Sequence, residues 1–206
     1  SSSSSSSSST TGGFGLSGLQ NLEILQLGYN HVTDLSALNL HMLPELKVLF
    51  VQGNDVVRVE GLNSSFKLRE LVLDKNRIKF VDVDAFSGLT NLRELRMEEN
   101  GLRSLSNFNL PNLQSLYLGL NRVGDVAELD KLSTIPFLME LSLNSNPIAR
   151  KQLYRANCVR RLPTLKFIDG REVSYEERER VELMFVSDNR ALPHSLVSLR
   201  KTLTFF

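Results

Sequence analysis

One eleven-residue pattern occurs six times along the chain, and it limits the possible folds more than any other feature. Its central copy, residues 92–102, reads Leu-x-x-Leu-x-Met-x-x-Asn-x-Leu, and the other copies have Leu or Val in place of the Met. The copies begin 21 to 25 residues apart, at Leu22, Leu46, Leu68, Leu92, Leu113 and Leu138. Because one such unit cannot bury its own apolar face, an array of this period predicts a stacked solenoid with one short strand per unit.

The ninth position of the pattern is Asn in every copy: Asn30, Asn54, Asn76, Asn100, Asn121 and Asn146. We expect each side chain to turn inward where its strand ends, and to pair backbone groups of its own turn and the next. A buried amide left unpaired would cost roughly 1–3 kcal/mol, so a full ladder predicts that the turns satisfy one another. The alternative, that these residues only form surface turns, does not explain why all six share one register.

The pattern divides the chain into four parts. Residues 1–11 are a low-complexity tail, residues 12–148 hold a partial first repeat and six full repeats, residues 149–173 form a cap, and residues 174–206 form a C-terminal helix and tail. The partial repeat, with Phe14, Leu16 and Leu19, and the aromatic end Phe205-Phe206 lead us to expect a piece of a longer array.

The cap breaks the repeat pattern. Residues 149–161 are predicted to form a helix with Leu153, Tyr154 and Val159 facing inward, followed by a last, degenerate strand and turn over residues 162–170. Ser174 and Glu177 form a capping box, which predicts a charged helix from about Tyr175 to Phe185. We expect most return segments between the strands to form 3₁₀ or single α turns, with room for a longer helical turn in the 25-residue fifth unit.

The array and the cap resemble a known family. The repeats are similar to leucine-rich repeats, and Tyr154-Arg155, Val159, Leu162-Pro163, Leu165, Ile168-Asp169-Gly170 and Val173 resemble the C-terminal cap of the Sds22-like class of intracellular leucine-rich repeat proteins. Members include phosphatase regulators, a spliceosomal A-prime protein and an axonemal dynein-associated light chain. The resemblance implies an α/β fold, a right-handed leucine-rich repeat solenoid (horseshoe) with a parallel concave β-sheet and a C-terminal helical cap. It also implies an intracellular, cytoplasmic location, with a ciliary or axonemal one as an option.

Composition argues against several classes of function. The net charge of +1 indicates neither a nucleic-acid binder nor an acidic tail, and no apolar run approaches the length of a membrane span. The single cysteine, Cys158, cannot build the disulfide-bonded caps that are usual in secreted repeat proteins, which favours a reducing compartment and a core role for Cys158. The histidines are scattered without metal-ligand spacing, so we expect no metal, no cofactor and no enzymatic activity.

The residues between the frame leucines are the informative ones for function. Side chains alternate along a strand, so every second residue of the frame faces the open concave sheet. This places apolar residues in the N-terminal third and acidic residues around Arg96 in the middle. The predicted protein-binding residues are Val48, Phe50, Glu70, Val72, Asp74, Glu94, Arg96, Glu98 and Tyr117. The alternative for the acidic positions is a solvated strand face, whereas an exposed apolar cluster at Phe50 and Val72 is typical of a contact surface.

A basic cap face competes with the concave sheet as a binding site. Its cations could contact phosphates of RNA or lipid, and they are Arg150, Lys151, Arg155, Arg160, Arg161 and Lys166. No aromatic residues are usefully interleaved with them, and acidic residues follow closely at Glu176 and Glu177. A solvated cap is therefore favoured over a nucleic-acid or lipid site.

The sequence thus predicts a non-catalytic protein–protein interaction scaffold whose partner enters the concave face with a basic and apolar segment. Neither a membrane nor a nucleic acid is favoured as a partner. The alternatives left open are a regulatory subunit of a protein phosphatase and a component of a ribonucleoprotein.

Overall fold

The structure is a computed structural model, and it describes residues 18–188. One sheet of eight strands runs through this part of the chain in sequence order. Its strands are β1 (Ile24–Gln26), β2 (Val48–Phe50), β3 (Glu70–Val72), β4 (Glu94–Arg96), β5 (Ser115–Tyr117), β6 (Glu140–Ser142), β7 (Phe167–Ile168) and β8 (Arg171–Glu172). Every neighbouring pair from β1 to β7 is parallel, and β8 is antiparallel to β7.

The strand register follows the sequence pattern. The fourth residue of each copy lies at the centre of its strand, so Leu49 pairs with Leu25 on one side and Leu71 on the other. The leucines at this position in β2 to β6 are fully buried, as are the Leu, Val or Met residues at the sixth position of the same repeats. These side chains form one continuous core along the array. The predicted leucine-rich repeat solenoid with an open, curved, parallel sheet is confirmed.

The return segments are short, as expected. They contain 3₁₀ helices at Ser36–Leu38, Leu40–Met42 and Val126–Thr134, the last being the longer helical turn of the fifth unit. Asp125 caps this nine-residue 3₁₀ helix by accepting a hydrogen bond from the Ala127 N–H at 3.0 Å. Side chains of the return segments complete the core behind the sheet, where the rings of Phe86 and Phe108 lie 5.6 Å apart.

The asparagine ladder is present. The Asn76 side-chain N–H₂ group donates to the carbonyls of Val51 in the preceding repeat and Leu73 in its own, each at 3.0 Å, and its oxygen accepts from the Val56 N–H. Four of the six asparagines are buried, Asn100 is half-buried, and Asn30 in the first repeat is exposed. Because Asn30 has no preceding repeat in the described residues to bond, its amide donates only within its own turn.

The cap departs from the sequence prediction at its start. Residues Pro147–Arg150 form a 3₁₀ turn, and the helix, α1, begins only at Tyr154 and ends at Arg161. Leu153 separates the two in a left-handed backbone conformation with φ of 63°, which turns its side chain outward to 41% exposure. The prediction that Leu153 faces inward is therefore wrong, while Tyr154 and Val159 are buried as expected.

The end of the cap contains one strand that the sequence did not reveal. The predicted last strand is β7, but the chain then reverses through Asp169 and Gly170, both with positive φ, into β8. Helix α2 (Tyr175–Asp188) follows, and the Ser174 hydroxyl accepts a hydrogen bond from the Glu177 N–H at 3.2 Å, as the capping box predicts. None of the described helices is long and apolar enough to cross a membrane.

Some sequence predictions fall outside residues 18–188. These are the serine tail, most of the partial first repeat and the C-terminal tail beyond α2. Leu19, the last residue of the partial repeat, is 45% exposed.

Candidate protein-binding surface

The strands present three parallel rows of side chains along the repeats, and we call this surface the concave sheet face. The row before the strand centre contains Ile24, Val48, Glu70, Glu94, Ser115 and Glu140, and the row after it contains Gln26, Phe50, Val72, Arg96, Tyr117 and Ser142. A third row follows the strands and includes Asp74 and Glu98. All nine predicted binding residues therefore belong to one continuous face.

The N-terminal third of this face is apolar. Ile24 is 53% exposed, and Val48 and Phe50 are half-buried, so these three residues, the apolar cluster, are accessible to a partner. Val72 is only 6% exposed, which corrects the prediction that it belongs to an exposed pair with Phe50. The short Val72 side chain lies in register between the much longer side chains of Phe50 and Arg96.

The middle of the face is organised around Arg96. Its guanidinium group approaches three carboxylates: Nε lies 3.3 Å from Asp74 Oδ2, Nη2 lies 3.4 Å from Glu98 Oε2, and Nη1 lies 3.9 Å from Glu94 Oε1. Asp74 also accepts a hydrogen bond from the Glu98 N–H at 2.7 Å, which joins two neighbouring repeats. We call Glu70, Asp74, Glu94 and Glu98 the acidic cluster.

The positive charge of Arg96 does not neutralise the negative charge of the four carboxylates in the acidic cluster. Burial and the nearby Glu70 carboxylate raise the pKa of Glu94, and burial and the nearby Asp74 carboxylate raise the pKa of Glu98. Both shifts are upward although Arg96 opposes them. Desolvation and repulsion among the carboxylates therefore outweigh the attraction of Arg96, and the cluster retains negative charge that a cation could neutralise.

Tyr117 extends the face beyond the acidic cluster. The Arg96 guanidinium carbon lies 4.9 Å from the centre of the Tyr117 ring, a cation–π distance. Burial and a hydrogen bond with Glu140 raise the pKa of the Tyr117 phenol. Glu140 was not among the predicted binding residues, although it lies in the same row as Glu70 and Glu94, and that row was the signal that could have identified it.

Gly119, which has no side chain, allows the side chains of Glu98 and Asn144 to lie close together. Gly119 is buried, and a Cβ atom there would lie 2.1 Å from Asn144 Oδ1 and 2.7 Å from Glu98 Oε1. The side chains of Glu98 and Asn144 thus occupy the space that a larger residue would take. The missing side chain widens the room available to the carboxylates of the face.

Three of the six cations of the basic cap face are engaged within the protein. Arg155 forms a bidentate pair with Glu177 at 2.7 and 2.9 Å, and it also donates to the Ile168 carbonyl at 3.1 Å. Arg161 pairs with Asp130, and the Arg160 guanidinium lies 4.3 Å from the Phe185 ring centre. These three cations therefore make contacts within the protein that favour a structural role in the packing of α1.

Cys158 lies in the cap core and is fully buried. Burial raises the pKa of its thiol to about 12, so the nucleophilic thiolate is absent at neutral pH. The predicted core role is confirmed. Within residues 18–188, no three His, Cys, Asp or Glu side chains are grouped so that they could hold a metal ion.

The geometry defines a class of protein: a repeat solenoid with one exposed, chemically varied face on a parallel sheet. Leucine-rich repeat family models match residues 18–40, 66–123 and 103–193, and together with the fold they identify the chain as a leucine-rich repeat protein.

Known proteins of similar sequence and structure agree with this class. Leucine-rich repeat-containing protein 23 from Bos taurus is 33% identical over an alignment of 192 residues that covers 81% of this chain and 54% of that protein. U2 small nuclear ribonucleoprotein A′ from Schizosaccharomyces pombe is 42% identical over 76 residues, 37% of this chain and 32% of that protein. The crystal structure of an internalin from Listeria monocytogenes superposes with a TM-score of 0.57 at 22% identity, covering 77% of this chain and 50% of that one. The chain spans about half the length of its curated relative from Bos taurus.

Proposed function

We propose that this chain is a non-catalytic scaffold that binds a protein partner through the concave sheet face. The observation that carries the proposal is the half-buried acidic cluster, whose Glu94 and Glu98 have raised pKa values, next to the accessible Ile24, Val48 and Phe50. Half-buried carboxylates that repel one another are a cost to the free protein, and a cationic side chain of a partner would relieve it.

The partner segment is complementary to this layout. An apolar side chain contacts Val48 and Phe50, and basic side chains lie near Glu70, Asp74, Glu94 and Glu98, with Arg96 and Tyr117 at the far end. Val72 contributes as the buried floor of the face and not as a contact. Anchors that become buried at the centre of an interface often contribute about 2 kcal/mol or more each, whereas charges at its rim act mainly on the association rate.

Variants of the face test this proposal once a partner has been isolated by co-purification and mass spectrometry. Phe50→Ala is expected to weaken binding at every salt concentration, because it removes an apolar anchor. Glu94→Lys with Glu98→Lys is expected to slow association at low salt, with a defect that shrinks as salt screens the charges. Surface plasmon resonance across a salt series measures both the dissociation constant and the association rate constant.

The control variant reverses two cap cations that form no ion pair within residues 18–188, Arg150→Glu with Lys151→Glu. It changes the net charge as much as the test pair does, with the opposite sign, and leaves the concave sheet face untouched. Loss of binding in this control together with full binding by Phe50→Ala would reject the concave sheet face as the site.

A ribonucleoprotein component is the second candidate function. It is supported by the likeness to U2 small nuclear ribonucleoprotein A′ over the 76 matched residues. In that case the co-purified material would contain RNA, whether the chain contacts the RNA directly or through a protein partner. Absence of RNA from the captured complex would argue against this candidate.

The proposals about cellular location and about a more specific function rest on the cap sequence. Its resemblance to the Sds22-like class supports an intracellular, cytoplasmic protein, with a ciliary or axonemal location and regulation of a protein phosphatase as further options. The irregular repeat spacing and the cap sequence are also similar to leucine-rich repeat-containing protein nine, a long protein with several arrays.

A further inference from the structure

A groove lined by cations lies on the edge of the solenoid, outside the concave sheet face. It follows the asparagine turns, where the chain leaves the strands of β3, β4 and β5. Its volume is about 320 Å³, and the residues that give it its character are Arg77, Lys79, Gly101, Arg103 and Arg122. We call it the basic edge groove.

Three of the four cations of this groove form no ion pair within residues 18–188. Arg77 pairs with Asp55 at 2.7 Å, but within residues 18–188 no carboxylate forms an ion pair with Lys79, Arg103 or Arg122. All four side chains are exposed. Elsewhere in the described part of the array, exposed Arg58 and Lys67 pair across repeats with Asp82 and Glu45, whereas exposed Arg69 and Arg93 form no ion pair. The groove therefore concentrates positive charge that the protein itself does not neutralise.

Gly101 opens the floor of the groove. The residue after the frame asparagine is Arg77 in the preceding repeat and Arg122 in the following one, but Gly101 in between. A Cβ atom at Gly101 would lie 3.2 Å from Lys79 Cγ, so even a methyl group would crowd the lysine stem. The gap leaves a concavity between two arginines, with Lys79 and Arg103 beside it.

We propose that the basic edge groove binds a carboxylate-rich segment of a protein partner. Guanidinium groups hold carboxylates through paired, charge-assisted hydrogen bonds, and two or three such groups fit a site contributed by three repeats. Side chains on one face of an extended peptide lie about 6.8 Å apart, and neighbouring repeats lie about 5 Å apart, so successive carboxylates of a peptide can reach cations of different repeats. The groove is separate from the concave sheet face, and its role does not depend on the function proposed for that face.

A nucleic acid fits the groove less well. Single strands are held by aromatic side chains that stack on bases as well as by cations, and no aromatic residue lines this groove. The chain also has a net charge of only +1, so no broad positive field supports phosphate binding beyond the groove.

The test uses the full chain and a fluorescent peptide of about ten residues in which glutamate and serine alternate, with fluorescence anisotropy as the readout. A matched peptide with glutamine for glutamate and an oligouridylate of similar length are the comparison ligands. The test variants are Arg103→Glu with Arg122→Glu, and the milder Arg103→Gln with Arg122→Gln in case the charge reversal disturbs folding. The control is Arg69→Glu with Arg93→Glu, two exposed cations without ion pairs among the described residues at the opposite ends of their strands.

The glutamate peptide is expected to bind and the glutamine peptide is not. Both groove variants should weaken binding by about tenfold or more, and the control should change it by less than about threefold. Equal binding by the wild type and both groove variants would overturn the proposal. So would tighter binding of oligouridylate than of the glutamate peptide with the same dependence on Arg103 and Arg122, which would assign the groove to nucleic-acid phosphates.

Discussion

At the scale of single residues, the frame asparagines connect the repeats to one another. The Asn100 amide group donates to the Leu73 carbonyl at 2.9 Å and to the Glu98 carbonyl at 3.1 Å, and its oxygen accepts from the Ile78 N–H at 3.0 Å. Two of these three bonds cross to the preceding repeat. One side chain thus replaces a set of backbone hydrogen bonds that the turn cannot make by itself.

Removing this amide should destabilise the array. Asn100→Ala leaves the Ile78 N–H without its acceptor, whereas the Leu73 and Glu98 carbonyls keep donors from Asn76 and Lys75. We expect the variant to lower the free energy of unfolding by about 1–3 kcal/mol. Arg103→Ala, in the same repeat but exposed and without an ion pair in the described part of the chain, should change it by less than roughly 0.5 kcal/mol. Urea unfolding followed by circular dichroism compares the two midpoints, and equal midpoints would show that Asn100 does not have this role.

The acidic cluster makes a prediction about pH. The pKa of Glu94 is raised above its ordinary value of 4.5, so the folded protein holds the proton more tightly than the unfolded chain does. Ionisation of Glu94 therefore opposes folding, fully so above its raised pKa and not at all below pH 4.5.

Glu94→Gln is accordingly expected to raise the melting temperature at neutral pH, although it also removes an attraction to Arg96. The gain should shrink as the pH falls towards 4.5. Thermal unfolding of both proteins across this pH range measures the difference. Destabilisation by Glu94→Gln at neutral pH would mean that the Arg96 pair outweighs burial and repulsion.

At the scale of elements, a side chain of the cap replaces a backbone hydrogen-bond acceptor at the end of the parallel sheet. The residue after each strand from β1 to β5 donates its N–H to a backbone carbonyl of the following strand, as Leu118 does to Ser142 at 2.8 Å. After β6, the Leu143 N–H donates instead to the Asp169 side chain at 2.7 Å. A carboxylate thus takes the place of a strand carbonyl where the chain turns away.

Asp169 also has a positive φ of 51°, a conformation that Asp and Asn adopt more readily than Ala. Asp169→Ala is expected to cost about 1–3 kcal/mol of unfolding free energy, because it leaves the Leu143 N–H unpaired and strains the turn. Asp169→Asn retains an acceptor and the backbone preference, and should stay close to the wild type. Differential scanning calorimetry separates them, and similar losses in both variants would point to the negative charge instead.

The sequence pattern was sufficient to predict the positions of the repeat strands. It was not sufficient to predict the structure of the cap or which side chains of the concave sheet face are buried. The repeat frame determined which residues share a row, because side-chain alternation follows directly from a strand. It did not show that Val72 is buried, since burial depends on side-chain lengths in neighbouring repeats. The outward Leu153 and strand β8 were missed because left-handed turns at non-glycine residues leave no periodic signal.

At the scale of the whole molecule, charges of opposite sign are separated although the net charge is only +1. The acidic cluster lies on the concave sheet face, and the basic edge groove lies beyond the asparagine turns of the same repeats. Between the acidic cluster and the basic edge groove, Lys75 Nζ lies 3.6 Å from Glu99 Oε1, and both residues belong to these turns. This arrangement favours a partner whose basic and acidic segments match the acidic cluster and the basic edge groove. The separated charges would then fix the orientation of the bound partner as well as contribute to its affinity.

The central claim, that the partner binds the concave sheet face, can be tested most directly by site-specific photo-crosslinking in cells. A benzophenone amino acid replaces Tyr117 on the concave sheet face or, as the control, Phe137, which is 58% exposed outside the sheet. The account predicts a discrete crosslinked adduct from position 117 that disappears when Phe50→Ala is added, and none from position 137. Adducts that form only from position 137, or that persist unchanged in the Phe50→Ala background, would contradict it.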